Sequence, residues 1–148
     1  MTAKQISRDV ILYANQAECS VTNLKLQKTL YYLQGYYSKY FDEPLFSDEF
    51  EHWPYGPVVP SVYFEYCQFG AGAISVNAFE TPFSDFGNDE KKAIRNVVNE
   101  CLRQTARSLV NKSHKEAPWL DANPSEIIPF SAIKHYFKNN DPLGIGSL

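Results

Sequence analysis

Cysteine is scarce in this chain. Cys19, Cys67 and Cys101 are odd in number, far apart and never in a Cys-x-x-Cys pair. That argues against both a disulfide framework and a zinc clip, and it fits a reducing compartment. No apolar run approaches the roughly 18 residues of a membrane-crossing helix, and the opening MTAKQISRDV lacks the apolar core of a signal peptide. The expectation is a cytoplasmic protein with no membrane partner. Positive charge is also short: 14 Lys and Arg stand against 17 Asp and Glu, a net charge of −3. General nucleic-acid binders carry the opposite excess. Catalytic signatures are missing as well, with no His-Glu-x-x-His pair, no phosphate-cradling glycine loop and no Gly-x-Ser-x-Gly elbow.

Aromatic residues are plentiful, with 10 Tyr and 10 Phe in 148 residues. A chain of this length suits one domain and can hide roughly two-thirds of its unfolded surface. The pattern predicts a mainly α fold: a single helical domain over residues 1–140, with a long central buried helix and one short β-ribbon, and a flexible tail over 141–148.

Thr2 and Gln5 have capping-box spacing ahead of a helix from about Ala3 to Ala17. A second helix starts after Thr22 and reaches about Tyr40. It is apolar or aromatic nearly all round, the mark of an element enclosed by several neighbours. Gly35 inside it costs about 1 kcal/mol relative to alanine, which suggests that another element packs closely there. Glu49 to Trp53 alternates like a short strand, and residues 73–79, AISVNAF, read as a weak strand to pair with the Phe50 region. Gly56 in the PYGP turn is free to take positive φ. A third helix is expected from Pro60 to Phe69. A long fourth helix is expected to be capped by Asn88, with Leu109 continuing its apolar face. Ser113 to Ala122 reads as a turn with a buried Trp119, and a last helix spans about Ser131 to Phe137.

Candidate chemistry is thin. A triad of Cys67, His114 and Asp121 finds no support in the local sequence, and His52 with neighbouring acids makes a poor metal site. No cofactor and no metal are expected. His114 follows a long helix, where it is expected to hydrogen-bond a carbonyl at the helix end in its positive form. The cations of helix four, Lys91, Lys92, Arg95, Arg103 and Arg107, are interrupted by Asp89, Glu90 and Glu100. They make no basic recognition helix.

Three blocks stand out together: TNLKLQKTLYYLQGYY at 22–37, EHWPYGPVVPSVYFEY at 51–66, and SHKEAPWLDA at 113–122, followed by a closing helix ending HYF. In order and spacing the chain resembles the Panacea antitoxin domain, also described as SocA-like or phage-associated GepA-like, over about Ile6 to Phe137. Where the family pattern has Thr before the His of the third block, this chain has Ser113, which keeps the hydroxyl. The resemblance implies a non-enzymatic, often prophage-encoded antitoxin that binds a toxin protein encoded nearby. A variant is an adaptor that hands the toxin to a cellular protease. A DNA-binding regulator and a small enzyme using His114 are the alternatives from other classes.

For partner binding the expected residues are Lys25 and Gln27 in the second helix, Trp53, Tyr55 and Pro57 in the proline corner, and His114 and Trp119 in the third block. The proline corner is pre-fixed, which lowers the entropy lost on docking, and its aromatics are of the kind that anchor interfaces. The competing reading packs Trp53 on the second helix to close the core. Lys25 and Gln27 are equally placed to cap neighbouring helices.

Overall fold

Helix α2, Asn23–Phe41, runs through the middle of the molecule. The structure, a computed structural model, describes residues 1–148. Every residue of α2 from Leu26 to Ser38 is buried, so the all-round apolar pattern is matched by neighbours on all sides. Those neighbours are α1 (Ala3–Gln16), α3 (Pro60–Tyr66), α4 (Asn88–Arg103), α5 (Ala106–Ser113), α7 (Phe130–Asn139) and strand β2 (Gly56–Val58). A short α6, Ala117–Leu120, packs on α7.

Helix boundaries follow local chemistry. Thr2 and Gln5 form the expected capping box, each side chain accepting from the other's backbone N–H. Thr22 caps α2 by accepting from Lys25 N at 3.2 Å. Gly35 sits under the ring of Phe137, leaving no room for a Cβ. Phe137 in turn meets the rings of Tyr31, Tyr32 and Tyr36 edge-on, at centroid distances of 5.6, 6.0 and 5.2 Å. A missing methyl group on α2 therefore lets α7 close on the aromatic core.

Several expectations are corrected. The 73–79 segment is not a strand against Phe50, because both edges of β1 (Phe50–Trp53) are already taken. The sheet order is β2-β1-β3, antiparallel throughout, with β3 at Ile127–Ile128. The segment instead makes one bridge, Thr22 to Ala73. The Asn15 side chain then stands in for a ladder, donating to Ile74 O at 3.4 Å and accepting from Val76 N at 3.1 Å. The long fourth helix breaks in two at Gln104 and Thr105, both extended. Thr105 caps α5 by accepting from Ser108 N, so Leu109 belongs to a separate helix. Gly87, not Asn88, is the N-cap of α4. The third helix ends at Tyr66 and tightens into a 3-10 turn over Cys67–Phe69.

Residues 141–148 turn back onto α2. Leu143 is buried, its N–H donating to Tyr36 Oη at 2.8 Å, and Tyr40 Oη donates to Gly146 O at 2.6 Å. Tyr36 Oη donates in turn to Asp141 Oδ1 at 2.6 Å.

Candidate functional site

The three sequence blocks meet at one place. Gly56, with φ of +113°, turns the chain between β1 and β2 so tightly that a Cβ there would lie 2.7 Å from Lys28 Cε and 2.8 Å from Ser113 Oγ. The second helix, the corner and the third block are therefore in contact through a single hydrogen-sized gap. Lys28 is fully buried, and its ammonium donates to Pro57 O at 2.7 Å. It pairs with no carboxylate. Burial without a counter-charge lowers its pKa to about 7.

Gln27 braces the same corner. Its side-chain oxygen accepts from Val59 N at 2.9 Å, and its amide donates to Asn23 Oδ1 at 3.0 Å. Trp119 closes the far side: its indole N–H donates to Trp53 O at 3.0 Å, and its ring lies between two imidazoles. His52 stacks on it at 4.1 Å and His114 at 4.2 Å. His52 Nδ1 and His114 Nε2 are buried and find no hydrogen-bond partner. The positive form of His114, expected to be favoured at a helix end, is instead disfavoured. Burial lowers its pKa, the Pro54 carbonyl opposing that effect and Lys28 and His52 adding to it.

Glu116 is the second buried ionisable group of the third block. Its carboxylate accepts from Tyr31 Oη at 2.9 Å and Tyr32 Oη at 3.0 Å. Burial raises its pKa to about 7 against the pull of those hydroxyls and of Lys112. The tyrosines of block one and the glutamate of block three thus form one polar knot inside the aromatic core.

Above this knot the corner presents aromatic surface. Trp53 is half-buried. It meets Tyr63 and Phe64 of α3 at 5.0 and 6.2 Å, and Tyr63 meets Phe64 at 5.5 Å. Phe64 is 63% exposed and Tyr55, at the turn, 66%. Phe79 is more exposed still, at 98%, but makes no aromatic contact, whereas Phe64 joins Trp53 and Tyr63 in one cluster with Tyr55 at the adjoining turn.

Of the seven expected binding residues, Tyr55 is exposed and Trp53 half-buried on this aromatic face. His114 and Trp119 stack beneath the corner, half-buried, while Gln27 and Pro57 are buried within it. Lys25 stands apart: its ammonium donates to Leu102 O at 2.9 Å and so caps the end of α4. Cys67 Sγ faces Phe64 O at 3.2 Å. Cys101 is buried, which pushes its thiol up to about 12.

The sequence model described as "Antitoxin SocA-like, Panacea domain" matches residues 26–120. The chain belongs to this family. No curated protein and no solved structure matches it. The Panacea match begins inside α2 and ends with α6, so it contains the whole corner, Lys28 and the His–Trp–His stack. The sequence alone did not single out Lys28, Glu116 or Phe64, and it offered His52 only as a poor metal ligand. Lys28 carried a signal, being a lysine on a helix with no polar face. Glu116 carried none, because its tyrosine partners lie 84 and 85 residues away.

Proposed function

We propose that this Panacea-family protein is an antitoxin that neutralises a cognate toxin, encoded nearby, by binding it directly in the cytoplasm and without chemistry of its own. The face formed by Trp53, Tyr55, Tyr63 and Phe64 is the docking surface. The observation that carries this reading is the exposure of Tyr55 and Phe64 beside Trp53, on a corner held from within by Lys28, Gln27 and Trp119. Exposed aromatics on a stiff support lose little entropy on docking and commonly act as hot spots.

Co-expression with the product of the adjacent open reading frame tests the proposal. Growth should be rescued and the two proteins should co-purify. Tyr55→Ala combined with Phe64→Ala should leave the thermal midpoint unchanged while weakening the complex by about 2 kcal/mol or more, roughly 30-fold in Kd. Undiminished binding by that double variant would place the interface elsewhere. Rescue through protease-dependent loss of the toxin, without a stable complex, would replace masking with delivery.

A further inference from the structure

A cleft of about 620 Å³ lies between α5, the turn after it, α7 and the start of the tail. None of its lining residues belongs to the aromatic face. Arg107, Lys112 and Lys115 all line it, and none of the three forms an ion pair. This concentration of cations runs against the net charge of −3. Glu116 is the only carboxylate in the lining. It is buried and accepts from both Tyr31 and Tyr32, so both of its oxygens are already engaged by core hydroxyls. The half-buried ring of Tyr136 and the exposed amide of Asn111 complete the walls that matter here.

We propose that this cleft binds a nucleoside polyphosphate, with its phosphates against Arg107, Lys112 and Lys115 and its base against the Tyr136 ring. Guanidinium and ammonium groups together bracket a polyphosphate chain, the first through a planar fork and the second as a point charge. An aromatic ring beside them offers a stacking surface for any base. The volume falls in the range of small-molecule sites. Peptide docking relies on apolar pockets for anchoring side chains, and only one of the nine residues lining this cleft is hydrophobic. A nucleic-acid track calls for a cationic stripe, and the cations here are gathered around one concavity.

Calorimetric titration of the full chain with ATP, inorganic triphosphate and adenosine, at fixed ionic strength, tests this. ATP should bind, and more tightly than triphosphate. Arg107→Ala and Lys112→Ala should each weaken ATP binding by about tenfold. Lys91→Ala on α4 should leave it unchanged. Tyr136→Leu should erase the advantage of ATP over triphosphate, with far-UV circular dichroism verifying that each variant is folded. Four results would overturn the proposal: no ATP binding at millimolar concentration, variants that bind as the parent does, equal affinity for triphosphate and ATP in the parent, or a poly-glutamate peptide that binds more tightly than ATP.

Discussion

At the scale of single residues, fit and burial set the chemistry more than charge does. Gly35 is a position where one methyl group decides how two helices meet. Gly35→Ala drives a Cβ into the Phe137 ring, and the ring is already hemmed in by Tyr31, Tyr32 and Tyr36. The expected loss of stability is about 1–3 kcal/mol, measured by urea unfolding. Adding Phe137→Leu should return part of it, since the smaller side chain makes room. A single-mutant loss with no recovery in the double variant would count against this contact as the cause. Gly56 is constrained twice over, by positive φ and by Lys28 and Ser113 behind it. Gly56→Ala should cost more than about 1 kcal/mol.

Among the elements, the division of the expected long helix into α4 and α5 is the feature with the most consequence. The break at Gln104 lets α5 bring Ser113 to the corner and Lys112 and Arg107 to the cleft. Two caps hold it. Lys25 donates to Leu102 O at the end of α4, and Thr105 accepts from Ser108 N at the start of α5. Thr105→Ala should lower stability by about 1 kcal/mol. Hydrogen exchange should quicken at the first amides of α5 and leave α2 protected. An equal loss of protection across α2 would show that the break has no local energetics of its own.

Across the whole molecule, two buried ionisable groups give stability an unusual pH dependence. Glu116 has its pKa raised from 4.5 to about 7, so between those values the folded chain holds the proton that the unfolded chain has released. Stability therefore falls as pH rises from 4.5 to 7. Lys28 has its pKa lowered from 10.5 to about 7, so over that interval the unfolded chain holds more protons and stability rises with pH. The lowered pKa of His114 adds a smaller rise just below pH 6.5. The two larger effects predict a shallow stability minimum near pH 7. Urea midpoints measured from pH 5 to 9 check it. Glu116→Gln should remove the acid limb and Lys28→Met the alkaline one. A maximum near neutrality would mean that one of the two groups is not buried in solution.

Helices α1, α2 and α7, the enclosed character of α2, the Thr2–Gln5 capping box and the close approach at Gly35 were all determined by the sequence alone. Each depends on neighbours within a turn or two, or on a periodicity that repeats along one element. The same holds for the positive φ of Gly56 and for the three blocks that place the chain in its family. The meeting of those blocks was decided only by tertiary structure, as were the Tyr31–Glu116–Tyr32 knot, the His52–Trp119–His114 stack and the side of the molecule on which Trp53 lies. The expected strand at 73–79 failed for the same reason. Its own alternation was sound, but the edges of β1 were already filled by Gly56–Val58 and by Ile127–Ile128, far apart in the chain. Local propensity can name a strand. Only competition among distant segments for the same hydrogen bonds and the same buried volume decides which of them is used.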